Sequence, residues 1–432
     1  MARIEGSSNG GSSAPPHHSA SRSSSSSSPS SCCRRLSKFL LLVVGVVQIG
    51  SIVGVDTETG GMGSSLTYPE YDEQAALRFL LYAKAAFCSE NAITNWSCGD
   101  KLCDKDKAPI LSEEGECDSD SEQHTNTNTN YDQGSQKMIR YIPEGKKYQV
   151  QGYVARIPTT TTTSPSTSVP TTNAENATSD GAISSTTDDT KTCIVAFRGS
   201  ITCKNWVSDI LFALKPWPTT AMKKNFTSDN TNNSVDYWSC PGCKVHDGFA
   251  SAYDEIRYTV HTAIQELQCT SLVVTGHSLG AAVATVASFD LRKSGYNVTA
   301  TWTYGSPRMG NAQFANSFVK AATSQGVSPP SWRVVHYHDP VPRLNPRIPY
   351  INPVVHLPLE IYYTNNQSSN YNVCPPQISG AENKSAGCME HYPSIKSLNN
   401  NNHIWYLNES LALKDFPKEC DGGDGCNLFS SF

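Results

Sequence analysis

Apolar residues in this chain are gathered into short runs and helical stripes from about residue 72 onward, with long polar tracts between them. Over 72–89, Leu77, Leu80, Leu81, Ala85 and Cys88 recur at the spacing of one helix face. The stretches 138–142 and 148–157 read as strands, and Thr192–Phe197 is a continuous apolar run suited to a buried one. In 201–217, Trp206, Ile210, Ala213 and Trp217, flanked by Val207, Leu211 and Leu214, make a wide apolar face at helical spacing. A helix over about 245–268 follows, with Ile256, Val260, Ile264 and Leu267 on one side. Leu272, Val273 and Val274 then form a strand, and 281–291 a helix of small apolar residues. Beyond it a strand is expected over 299–304, a helix over 312–324 and a strand over 332–338. A last strand over 354–364 is expected at a sheet edge, because Pro358 lacks the N–H a central strand needs. Strand–helix alternation through 192–338 predicts a largely parallel sheet with helices on both faces.

The polar tracts divide the chain. Residues 1–38 are Ser-rich and too polar to bury a core, so a disordered leader is expected. Arg34, Arg35 and Lys38 precede an apolar run over 39–55, the pattern of a signal peptide or a retained signal anchor. The long leader and a poor small-x-small cleavage site favour the anchor, and a Ser-rich, acid-poor leader also fits an organelle transit peptide. In an anchored chain Cys32 and Cys33 could be acylated, but unmodified cytosolic thiols are the better reading. The rest, 56–432, reads as one large domain with polar insertions at 104–135, 158–191 and 219–239. The first insertion is acidic but lacks EF-hand spacing, so no calcium site is assigned.

Composition narrows the compartment and the partners. A formal net charge of -5 without any basic stripe gives no reason to expect nucleic acid. The chain has 15 cysteines, 13 of them beyond residue 80, a load that fits an oxidising compartment. Sequons at Asn95, Asn176, Asn225, Asn232, Asn297, Asn366, Asn383 and Asn408 agree with passage through the secretory pathway. The protein is then secreted, or anchored with its domain on the lumenal or extracellular side. Cys240 and Cys243 form a Cys-x-x-Cys with no second pair at zinc spacing, so a structural disulfide is expected. The odd number beyond residue 80 leaves a free thiol, and Cys193, inside a predicted core strand, is the candidate.

Gly276-His277-Ser278-Leu279-Gly280 stands between the 272–274 strand and the 281–291 helix. A serine in this pattern is held out on a corner too sharp for flanking side chains. The following helix aims N–H groups and its positive dipole end at a reacting carbonyl oxygen. Ser278 is therefore the candidate nucleophile; the plainer reading is a helix-capping serine. Such a nucleophile needs a base oriented by a carboxylate, in the chain order serine, acid, histidine. Asp339 follows the 332–338 strand and is the candidate acid, although an Asp-Pro turn has the same residues. Of the histidines beyond it, His356 falls within a predicted strand, while His391 and His403 are only weakly separated by position. His403, in an Asn-rich loop, is placed as a base should be.

Seven stretches together resemble the fungal-type class 3 lipases, from about residue 75 to the C-terminus. They are FRGS (197–200), NW-x-x-D (205–209), VHDGF (245–249), GHSLG (276–280), YGSPRMGN (304–311), HDPVPRL (338–344) and H-x-x-Y (403–406). The resemblance implies an α/β-hydrolase fold: a mostly parallel central sheet, helices on both faces and a short helical lid. It implies a triad of Ser278, Asp339 and His403, with oxyanion donors from Ser200 and the backbone N–H of Leu279. It sets the lid within 201–217, where Trp206, Ile210, Leu211 and Leu214 form the apolar face; the same stripe equally fits a core helix. It also implies disulfides Cys98–Cys103 and Cys374–Cys388, and a bond from Cys88 to Cys420 or Cys426.

The activity implied is hydrolysis of lipid carboxylic esters, triacylglycerol first, at a lipid–water interface through an acyl-enzyme, with no metal or organic cofactor. A feruloyl-type esterase, a phospholipase A1 or a monoacylglycerol hydrolase would share the scaffold, and the Trp- and Leu-rich stripe argues for lipid. Outside enzymes the alternative is a non-catalytic lipid-binding relative, which an intact triad argues against. Ala281 departs from the family in replacing a second glycine after the elbow.

Overall fold

Asp72 opens the first helix, α1 (Glu73–Ala85), its carboxylate accepting the N–H groups of Gln74 and Ala75 at 2.8 and 3.1 Å. Those donors have no partner within the helix itself. The computed structural model describes residues 70–99, 102–112, 137–158, 190–199, 214–219, 222, 240–321, 323–324, 326, 328–344, 354–374, 387–391, 400–412 and 415–420. All lie in one unit, Thr67–Phe432. Among the described residues no helix is long and apolar enough to cross a membrane. The expected leader, the 39–55 run and most of the three insertions fall outside the described residues.

After α1 come a short helix α2 (Glu90–Thr94), then β1 (Ile139–Ile142), β2 (Gly152–Arg156), β3 (Thr192–Phe197), β4 (Leu214–Pro216) and β5 (Lys244–His246). The chain continues through α3 (Asp247–Glu266), β6 (Ser271–His277), α4 (Leu279–Lys293), β7 (Val298–Tyr304), β8 (Gly310–Asn311), α5 (Ala312–Lys320) and β9 (Ser331–His336). It ends with β10 (Val354–Val355), β11 (Glu360–Tyr363), β12 (Tyr371–Cys374) and the hairpin β13 (Trp405–Tyr406) and β14 (Glu409–Ser410).

Eight of the described strands form one sheet in the order β1-β2-β3-β6-β7-β9-β11-β12. The five from β3 to β11 run parallel, and the outer three pair antiparallel. Alternation along β3 sorts the two cores, as a pleated strand requires. Cys193, Val195 and Phe197 pack with α3, α4 and α5 on one face. Ile194 and Ala196 pack with α1 and the C-terminal hairpin on the other. Helix α4 is apolar nearly all round because it is buried nearly all round. Burial of each large side chain there, Val283, Val286, Phe289 or Leu291, stabilises by about 1.5–3 kcal/mol. The expected α/β-hydrolase arrangement is what the chain adopts: a mostly parallel sheet, helices on both faces and the sharp β6–α4 corner near its middle.

Three expectations are corrected. Leu214 is in strand β4, opposite His246 in a second sheet of order β10-β8-β5-β4, so the expected helix does not extend through Leu214–Pro216, and residues 201–213 lie outside the described residues. The 354–364 run is two strands, not one: Val354 and Val355 join the small sheet, and Pro358 lies in the break before β11. β11 is interior, and β12 is the edge. Cys193 is no free thiol but is bonded to Cys269, because the α3–β6 link returns beside β3, where Lys191 O accepts from Thr270 N. The other disulfides pair Cys88 with Cys420, Cys98 with Cys103, Cys240 with Cys243 and Cys374 with Cys388. Among the described sequons, Asn95, Asn366 and Asn408 are exposed and Asn297 is buried.

Candidate active site

The corner between β6 and α4 holds Ser278 at φ 59°, ψ -125°, a conformation costly for a residue with a side chain. Strain of this kind is of the order of 1–3 kcal/mol and persists only where the surroundings enforce it. They do here. A Cβ on Gly276 would stand 2.3 Å from Gly280 O, and one on Gly280 would stand 2.4 Å from Phe197 O. The corner therefore closes only with glycine at both positions. Ser278 N donates to Tyr304 O at 2.9 Å, tying the corner to β7.

His403, brought in by the loop before β13, reaches Ser278 Oγ with Nε2 at 2.8 Å. Its Nδ1 faces Asp339 at 3.0 Å to Oδ1 and 2.9 Å to Oδ2. Because a carboxylate accepts only, Nδ1 carries the proton and Nε2 is left to accept from the serine hydroxyl. Asp339 Oδ1 also accepts Val341 N–H at 2.8 Å, and Oδ2 accepts the Tyr406 hydroxyl. Burial first, and the nearby Asp339 charge second, raise the Tyr406 phenol well above its ordinary value, so it stays a donor. The three residues are almost sealed from solvent, at 6%, 1% and 0% exposure for Ser278, His403 and Asp339. This is a hydroxyl, an imidazole and a carboxylate in relay order, a device for making a serine nucleophilic.

His391 is exposed on a separate turn, and His356 is buried with Nε2 donating to Pro342 O at 2.7 Å. Neither is the histidine that meets Asp339 and Ser278. Leu279 opens α4, and Gly199 abuts the corner: a Cβ there would be 3.5 Å from Ser278 Cβ. Ser200, Trp206, Ile210 and Leu211 lie outside the described residues.

Residues 194–348, which carry the corner and Asp339, match the family Lipase (class 3). Over that stretch the chain is similar to the class 3 lipases. The chain is 38% identical over 170 residues to a secreted mono- and diacylglycerol lipase of Fusarium solani, covering 38% of this chain and 43% of that one. It is 30% identical over 203 residues to a lipase of Rhizomucor miehei, covering 45% of this chain and 48% of that one. It thus spans less than half the length of either relative. Lipase II from Rhizopus niveus aligns over 78% of this chain and 95% of its own, with 21% identity and a TM-score of 0.48.

Three side chains at the site were not assigned roles from sequence. Tyr406 holds Asp339 as described. His277, the last residue of β6, donates Nε2–H to His403 O at 2.8 Å. His336, the last residue of β9, donates Nδ1–H to Asn402 O at 3.0 Å. Burial keeps both imidazoles neutral, pushing His277 down to about 3, with the nearby His403 adding to the effect. The signal available was their position: titratable residues at the carboxyl ends of parallel strands, where α/β proteins build sites.

Proposed function

We propose that this protein hydrolyses the carboxylic esters of acylglycerols, triacylglycerol among them, through an acyl-enzyme on Ser278. The observation that carries the reading is the continuous relay from Ser278 Oγ through His403 to both oxygens of Asp339. Ser278 Oγ attacks the ester carbonyl carbon as its proton passes to His403 Nε2. The tetrahedral adduct collapses, and the imidazolium protonates the departing glyceride alcohol. Water then attacks the acyl-serine with His403 again as base, releasing the fatty acid and restoring the hydroxyl. Asp339 holds the imidazole in the productive tautomer throughout.

The developing oxyanion is assigned to the N–H of Leu279, at the positive end of α4, and to Ser200, which follows Gly199 beside the corner. A lid carrying Trp206, Ile210 and Leu211 is proposed over the site, with Leu214 at its far end on β4. We also propose a secreted or membrane-anchored protein: a hydrolase domain over 56–432, behind a leader at 1–38 and an anchor at 39–55. Five disulfides among the described residues and relatives named as secreted support an oxidising compartment.

The test is fatty-acid release from a long-chain triacylglycerol emulsion and from a soluble short-chain ester, with wild type and Ser278→Ala. The expected result is a rate that rises when the emulsion interface forms and falls in Ser278→Ala by a factor of about 10³ or more. Activity confined to soluble esters would overturn the lipid assignment. Activity that survives Ser278→Ala would overturn the nucleophile.

A further inference from the structure

His403 stands on a loop, yet its imidazole must meet Ser278 and Asp339 within hydrogen-bond distance on opposite sides. A loop residue keeps such an aim only if its own φ and ψ are held. Rotation about N–Cα is stopped by fixing the peptide plane before the residue, and rotation about Cα–C by fixing the plane after it. The carbonyl of the first plane belongs to Asn402 and that of the second to His403. These are the two carbonyls that accept from His336 Nδ1–H, at 3.0 Å, and His277 Nε2–H, at 2.8 Å.

We infer that His277 and His336 position the base: from the ends of β6 and β9 they hold the two peptide planes that flank the Cα of His403. The inference rests on the triad reading above and goes beyond it by assigning function to two histidines outside the triad.

Three observations support it. Both donors sit at the carboxyl ends of β6 and β9, the strands either side of β7 in the parallel sheet that also delivers Ser278 and Asp339, so nucleophile, acid and base share one frame. Both are buried, at 4% and 0% exposure, so water does not compete for the carbonyls. Both stay neutral, which matters most for His277, whose ring centre is 4.6 Å from that of His403. A cationic donor such as lysine there would oppose the imidazolium that forms during catalysis. Tyr406 completes the packing, its ring 5.7 Å from His277 and 5.5 Å from His336.

The two histidines use different ring nitrogens, and this gives a crossed test. Glutamine presents its amide nitrogen about where histidine has Nε2, and asparagine about where it has Nδ1. His277→Gln should keep its bond and His277→Asn should lose it; His336→Asn should keep its bond and His336→Gln should lose it. The measurements are kcat and KM on an acylglycerol emulsion, the rate at which a fluorophosphonate labels Ser278, and the folded fraction from near-ultraviolet circular dichroism.

Per folded molecule, the matched amide should exceed the mismatched one in kcat and in labelling rate at each position. The expected ratio is about 10- to 100-fold, with KM little changed. Equal effects of the two amides at a position would show that the histidine serves packing alone and would overturn the inference. Four unfolded variants would overturn it too, since the matched amide is expected to preserve the contact. A wild type that the fluorophosphonate does not label would instead sink the triad reading, so the two failures are distinguishable.

Discussion

At the scale of the residue, the site depends on atoms that are missing as much as on those present. Gly305, just past β7, has φ 61°, and a Cβ there would stand 2.9 Å from Asp339 Oδ2 and from the Tyr406 hydroxyl oxygen, and 3.0 Å from His403 Cε1. One methyl group would therefore press on the acid, its donor and the base together. Gly305→Ala is expected to lower stability by about 1–3 kcal/mol from the backbone alone, measured by urea denaturation. The folded remainder should react with a serine-directed phosphonate at least about tenfold more slowly, because the relay is displaced. Ser278 and Asp339 were legible from sequence because each follows a run that can only be a buried strand. His277 and His336 were not, since nothing local to a histidine says whose carbonyl lies across from it. Cys193 misled for the same reason: a buried thiol and a half-cystine look alike until the partner 76 residues away is placed.

At the scale of the element, the long apolar runs were readable and the short strands were not. Apolar residues at 206, 210, 213 and 217 match a helix, but Leu214–Pro216 is a strand because Lys244–His246, distant in sequence, offers it a partner. Three residues carry no periodic signal of their own. The hairpin β13–β14 is another element set by distant contacts. Lys84, on α1 and only 6% exposed, pairs with Glu409 of β14 at 3.0 Å and lies over the Phe416 ring. Glu409→Gln would leave that ammonium buried without its counter-charge, a loss of about 1–3 kcal/mol. Lys84→Met, which removes the buried charge and keeps the apolar stem, should cost less. Comparing the two by urea denaturation separates burial of a lone charge from loss of a contact, and equal losses would count against the argument.

At the scale of the whole molecule, buried histidines set an acid limit on the fold. His277, His336 and His356 all have their pKa lowered, chiefly by burial. In the unfolded chain each takes up a proton as pH falls below its ordinary value of 6.5, while folded His277 does so only near 3. The unfolded state then binds more protons, so stability is complete above about pH 6.5 and falls below it. The slope approaches about 1.4 kcal/mol per pH unit for each histidine. Unfolding free energies measured between pH 7.5 and pH 4 should show this decline, and His356→Gln, if folded, should flatten it by one proton's share.

The order in which the three triad residues occur along the chain has a consequence for biosynthesis. Ser278 and Asp339 leave the ribosome before His403, and the bond from Cys88 cannot close until Cys420 has followed. On the proposed secretory route, a nascent chain would cross a membrane with a serine that has no base. On that route the proposed triad is complete only after nearly all of the chain has been delivered.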